Sequence, residues 1–285
     1  MTSDITGGVL GGVTGGVLGG VLGGVTGGVQ DPVGLQVVAR SFFCREVLSV
    51  APKLLGCVLA HETSEGLVAA EITEVEAYRG ESDPASHAFR GKTARNAVMF
   101  GEPGHAYVYF TYGMHFCVNL VCQPPGEAGA VLIRAGRVVE GEALAAARRL
   151  AGGRNGSRAT AGRDLARGPA RLCQALGIGR AQNGADVCDP GGPLRVLGPV
   201  GFSGRAAAAV SSGPRVGVRL GAEADWRFWV DGDPTVSAYR PHMPKRRSAG
   251  AAAATAGAGA GAAGAGAAAA RAAGPGAAGA GRNQL

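Results

Sequence analysis

Four strand-forming stretches, CVLAHE, LVAAEITEVEAY, HAYVYFTYGMHFCVNLV and GAVLIRA, restrict this chain more than any other feature. Their β-branched and aromatic residues recur with period two, and connections of a few residues join antiparallel neighbours. The first two stretches, linked by Ser-Glu-Gly, read as a hairpin. In its second strand the alternation puts Glu74, Glu76 and Tyr78 on one face and Thr73, Val75 and Ala77 on the other. The third stretch folds back at Tyr112-Gly113, where glycine supplies the positive φ that a two-residue turn requires. Three helices are expected. One runs through FFCREVLSV with Ser41 as N-cap, one lies around Gly141 to Ala151, and ARLCQAL is opened by Gly168-Pro169 and closed by Gly177. PRVGVRL and WRFWV read as strands that close the sheet. The fold class is α+β, a single domain with a curved, mostly antiparallel β-sheet flanked by helices.

The ends of the chain cannot contribute to such a core. Within residues 1–30, Gly7 to Val29 carries six Gly-Gly-Val units with no side chain larger than Leu, and ordering so much glycine is costly. They lack the basic n-region and compact apolar core of a signal peptide, and the glycine pairs argue against a membrane span. Residues 248–285 are Ala/Gly low-complexity sequence. Both ends are expected to be disordered, which leaves 31–247 as one sizeable domain. Setting aside Asp4, Arg271 and Arg282 in the two ends, the domain holds 26 basic and 20 acidic residues, net +6. Only Lys53, Lys92 and Lys245 are lysines, so arginine carries a field suited to a polyanion, although compositional bias produces the same excess. The cysteines (44, 57, 117, 122, 173 and 188) form no C-x-x-C pair and no zinc-like Cys/His spacing. They read as buried free thiols, and with no export signal they imply a cytoplasmic chain, nucleoid-associated in a bacterium.

Between Glu71 and Ala135 lie four of the five tyrosines and three of the five histidines, more polar and aromatic groups than a core needs. Glu76, on a strand face among aromatics, suits a general base that takes a proton from an attacking water; simple pairing with an arginine is the commoner explanation of a strand carboxylate. Tyr78, His87 and Tyr109 offer flat faces for a heterocycle, or ordinary half-buried sheet packing. A large aromatic at a hairpin tip, Tyr112, suits a wedge between stacked bases, or folds back on its own sheet. Asn119 and Arg134 sit inside apolar runs, where an unpaired polar group is expensive, so each needs a partner or a pocket.

The order and spacing of E-V-E-A-Y, the loop histidine, K-T-A-R-N, Y-V-Y-x-x-Y-G-M-H-F-C-x-N, V-L-I-R-A and G-P-A-R-L-C-Q-A-L-G resembles the alkyladenine (3-methyladenine) DNA glycosylase family. The resemblance runs from about Leu48 to Ser237. It implies that Glu76 activates the water that attacks C1′ of the damaged nucleotide, with Arg134 helping to hold that water. It places Tyr78, His87 and Tyr109 around the flipped base, Tyr112 in the gap left in the duplex, and Asn119 against the 2-amino group of guanine. The terminal repeats have no counterpart in the family, and Gly152 to Arg163 is unusually rich in Gly and Arg.

The resemblance implies a monofunctional base-excision-repair hydrolase for alkylated purines in duplex DNA, without metal or cofactor, membrane-free and monomeric. No lysine falls in a matched catalytic position, so no Schiff-base lyase step is expected. Two other readings compete with it: a damaged-DNA-binding protein of the same fold that has lost its chemistry, and a hydrolase of free nucleosides.

Overall fold

Every strand pairing in the computed structural model is antiparallel; the structure describes residues 34–111, 113–152, 162–202 and 209–242. The Gly/Val repeat, the Ala/Gly tail, Tyr112 and residues 153–161 of the Gly/Arg-rich stretch lie outside the described residues. The strands are β1 (Leu35–Val37), β2 (Val58–Thr63), β3 (Gly66–Tyr78), β4 (Ala106–Thr111), β5 (His115–Cys122), β6 (Gly129–Glu140), β7 (Leu194–Pro199), β8 (Val210–Gly213) and β9 (Arg227–Val230). They form one open sheet in the order β1-β7-β2-β3-β6-β5-β4, with β9 paired to β3 and β8 to β9. The helices are α1 (Arg40–Phe43), α2 (Val47–Val50), α3 (Glu142–Ala151) and α4 (Pro169–Leu176). The expected α+β class, a mostly antiparallel sheet with flanking helices, is what forms.

Strand β3 is the organiser. One edge pairs with β6 along most of its length; the other pairs with β2 up to Glu71 and with β9 from Glu74 to Glu76. Where the neighbour changes, the β3–β6 register slips on both sides of Glu74. A bulge of this kind shifts the alternation by one residue. The positions that join the main core are accordingly Val68, Ala70 and Ile72 before it and Val75 and Ala77 after it. Thr73, expected beside Val75 and Ala77, instead meets Thr235 at 2.7 Å, and Glu74 accepts from the Ser237 N–H at 2.7 Å. The bulge thus turns two successive polar side chains toward the same segment, residues 233–237.

The main core buries α1, α2 and α4 against the sheet through Phe43, Val47, Leu54, Leu120, Ile133, Leu172 and Leu176. A smaller cluster of Ala88, Met99, Phe100, Tyr107, Val121 and Ala130 underlies the loop after β3. His61 of β2 is buried and its Nδ1 lies 2.7 Å from the Leu176 carbonyl, which ties the sheet to the C-terminal end of α4. Helix α4 begins with Pro169 and ends at Gly177 in the left-handed conformation, as the sequence reading expects.

Three local expectations are corrected. FFCREVLSV breaks into α1 and α2 because Glu46 takes an extended conformation and caps α2 by accepting from the Ser49 N–H at 3.1 Å; Ser41 lies inside α1 and caps nothing. PRVGVRL is a loop, since Gly217 has φ +70° and the pairing of β8 stops at Gly213. Because β4 and β5 pair Thr111 with His115, three residues rather than two make the turn, with Gly113 at φ +66°. Of the cysteines, four are buried as expected, but Cys188 is half-buried and Cys44 exposed.

Gly80, two residues beyond β3, has φ +63°, and a Cβ there would sit 1.9 Å from the Ala128 carbonyl oxygen. Gly80→Ala is expected to destabilise the fold by about 1–3 kcal/mol. Chemical denaturation would register this as a lower midpoint at unchanged slope; an unmoved midpoint would show that the close approach is not real.

Candidate active site

A cavity of about 670 Å³ opens on the sheet face carrying Glu76, Tyr78, Tyr109 and Arg134, and its far wall is the loop from Val216 to Leu220. Glu76 is fully buried. Its Oε2 accepts from the Tyr78 hydroxyl at 2.8 Å, and its Oε1 accepts from the Val216 N–H at 2.7 Å with Arg134 Nη1 at 3.3 Å. A carboxylate has about four acceptor positions, so two hydrogen bonds and the Arg134 ion pair leave Oε2 open to a further proton donor.

Behind Glu76 lies a second buried carboxylate. Glu74 Oε1 accepts from Arg134 Nε at 3.0 Å, Arg227 Nε at 2.7 Å and Ser237 Oγ at 2.8 Å. Two carboxylates and two guanidiniums therefore balance within the sheet, as buried charge requires. Burial works against the Arg134 charge, but Glu76 and then Glu74 outweigh it and hold its pKa above the ordinary value. The Tyr78 phenol is pushed well above its usual range, first by burial and then by the Glu76 charge, so it stays protonated and remains a donor.

The other side of the site is aromatic and neutral. The rings of His87 and Tyr109 meet edge to face at 4.5 Å, and Tyr107 stacks on Tyr109 at 5.6 Å. His87 Nδ1 lies 3.0 Å from the Tyr107 hydroxyl. Desolvation, and secondarily the charge of Arg95, lower the His87 pKa, so the imidazole is neutral at neutral pH. Asn96 pins this loop: its Nδ2 donates to the carbonyls of His87 at 2.9 Å and Gly91 at 3.0 Å. A recess of about 60 Å³ continues inward between Tyr78, His87, Tyr107, Tyr109 and Asn119. Asn119 Nδ2 donates to the Tyr107 carbonyl at 3.0 Å.

Residues 41–234 match the family model for methylpurine-DNA glycosylase. The chain belongs to the methylpurine-DNA glycosylase family. Enzymes of this kind are hydrolases of the N-glycosyl bond. A Streptomyces avermitilis protein provisionally named a 3-methyladenine DNA glycosylase is 55% identical over 214 residues, covering 74% of this chain and 95% of its own. Relatives with the same provisional name in Leifsonia xyli and Methanocella arvoryzae are 53% and 44% identical, covering 74% and 73% of this chain and 96% and 98% of their own.

Against that background, the glycosylase brings together Glu76, Arg134, Tyr78, His87 and Tyr109 on one cavity, while Asn119 lies on the inner recess. Tyr112 is outside the described residues. Sequence reasoning missed Tyr107, although the spacing in Y-V-Y puts it on the face of Tyr109. It also missed Val216, because V-G-V-R imitates a strand, and the partners Arg227 and Ser237, which reach Glu74 from 153 and 163 residues away. Among the described residues no group of three or more His, Cys, Asp and Glu is placed to hold a metal ion, and no helix is long and apolar enough to cross a membrane.

His61 and His87 both have folded pKa values below the ordinary imidazole value, and in both burial is the leading cause. The unfolded chain then takes up these protons first as pH falls, so their contribution to stability is complete above about 6.5 and is lost below it. Melting midpoints should drop between about pH 7 and pH 5.5, and His61→Gln should flatten that slope. An equal slope in the variant would mean that His61 titrates normally.

Proposed function

We propose that this glycosylase flips an alkylated purine of the 3-methyladenine type out of duplex DNA, hydrolyses its N-glycosidic bond and leaves an abasic site. The observation that carries the reading is Glu76: a wholly buried carboxylate at a cavity, held by two hydrogen bonds and an ion pair and keeping an acceptor position on Oε2. A water there donates one proton to Oε2 while its oxygen attacks C1′. The electrons of the C1′–N bond leave with the base. An alkylated ring that already carries positive charge departs as a neutral molecule, so the reaction needs no strong acid on the other side. General-base action of this kind contributes about 10²–10⁴ in rate. The Arg134 guanidinium keeps the carboxylate oriented and lies on the same cavity, within reach of the water.

In this reading Tyr78, His87 and Tyr109 enclose the base, stacking being worth about 1–3 kcal/mol per base. Asn119 monitors the recess, where an exocyclic amine of guanine would need a partner. A damaged or mispaired base costs least to extrude, and Tyr112 fills the vacated stack. The cavity walls carry no lysine among the described residues, which suits a glycosylase without a lyase step.

Glu76→Gln should lower release of free 3-methyladenine from alkylated duplex by at least about 10²-fold with duplex affinity little changed. Undiminished release would overturn the assignment of the base, and equal binding without release in the parent would favour the binding-protein reading. Tyr112→Ser should lose duplex affinity and activity together, whereas a hydrolase of free nucleosides would be indifferent to it. Duplex affinity should fall steeply with added salt, since arginine–phosphate contacts release counterions; a flat response would count against a DNA groove.

A further inference from the structure

The side chains of Asp83 and Arg215 are fully buried, yet neither lines the cavity. Arg215 forks onto Asp83 with Nη1–Oδ2 at 2.6 Å and Nη2–Oδ1 at 2.9 Å. The same guanidinium donates to the carbonyls of Ala77 at 3.0 Å and Gly221 at 3.2 Å, and it lies between the rings of Tyr78 at 4.7 Å and Trp226 at 4.9 Å. Asp83 in turn accepts from the N–H groups of Arg79 at 3.2 Å and Ala85 at 3.0 Å. One ion pair thus fastens three pieces of chain: the end of β3, the loop that carries Ala85 and His87, and the loop that carries Val216.

Each of these pieces bears on Glu76. Val216, the residue after Arg215, gives its N–H to Oε1, and Tyr78, the ring that stacks on Arg215, gives its hydroxyl to Oε2. Burying an ion pair costs desolvation that its own attraction often fails to offset, so its retention points to a geometric task. Here that task is legible, because both hydrogen-bond donors to the carboxylate are set by the position of one guanidinium.

We propose that Asp83 and Arg215 are positioning residues for the glycosidic hydrolysis, acting on Glu76 through Val216 and Tyr78 without touching the DNA. The proposal rests on the reading of Glu76 as the base. It requires the fork and the flat stacking surface of arginine, which lysine lacks.

The test compares the parent, Arg215→Lys and the double variant Asp83→Asn/Arg215→Gln, which removes both charges and so leaves none unpaired. All are measured at a temperature where circular dichroism shows them fully folded, with Glu76→Gln as the control. Single-turnover release from alkylated duplex should fall at least about 30-fold in both variants, while duplex Kd changes less than about threefold, because positioning is expressed in the transition state. Amide exchange gives a readout independent of activity: protection of the Val216 N–H should fall about tenfold in both variants while that of Val131, in the core, is unchanged. Release within threefold of the parent, a loss of affinity that matches the loss of release, or an unchanged Val216 amide would each overturn the proposal. A parent that releases no base, with Val216 protection still dependent on Arg215, would instead sink the reading of Glu76 and leave the positioning geometry standing.

Discussion

Two carboxylates buried side by side on β3 set the terms for the rest of the structure. Glu74 and Glu76 are both inaccessible to solvent, and ions so placed survive only with charge and hydrogen bonds brought to them. Arg134 comes from β6, Arg227 from β9, Ser237 from the segment after β9, and Val216 from the loop before it. Residues 209–242 therefore return to the middle of the sheet because β3 demands partners. The bulge at Thr73 and Glu74 is the backbone's share of this arrangement, since it occurs where β2 gives way to β9 along the edge of β3.

The division between the two glutamates follows from where the cavity is. Glu74 receives four hydrogen-bond or ionic contacts, counting both oxygens, and has no face on the cavity. Glu76 receives fewer and lines it. Glu74 thus anchors Arg134, and Arg134 passes that anchorage to Glu76. A saturated carboxylate holds structure, and an unsaturated one beside open space can accept a proton.

How far the sequence reveals this depends on the range of each interaction. Period-two alternation within β3, β4 and β5 places Glu76 with Tyr78, and Tyr107 with Tyr109, because side-chain direction in a strand is a local property. Helix α4 is equally local, its Pro start and Gly stop being written in consecutive residues. The bulge is not, since it arises from a change of neighbour and not from any residue type at Thr73. The loop from Pro214 to Gly221 misleads for a related reason: its alternating valines resemble a strand, but what they satisfy is a carboxylate 140 residues earlier. Asp83 makes a local turn, its Oδ1 accepting from Ala85 N–H, and the same carboxylate also takes a buried arginine 132 residues away. Single-residue chemistry is visible in sequence, whereas the identity of a distant partner is a product of topology.

On the proposed reading, the cavity is built as two unlike halves, and that asymmetry suits the reaction. The charged half is balanced overall, yet Glu76 Oε2, which keeps an open acceptor position, is negative and faces the sugar, where positive charge develops as the glycosidic bond breaks. The neutral half offers aromatic faces, whose negative quadrupole favours an electron-poor ring over an ordinary one. His87 supports this only while uncharged, and its burial and the nearby Arg95 charge keep it so. A cationic alkylated purine is then favoured twice, by the rings that hold it and by the ease with which it leaves. Discrimination of this kind needs few specific contacts to the lesion, which is why so much of the architecture serves to fix one carboxylate and so little to read the base.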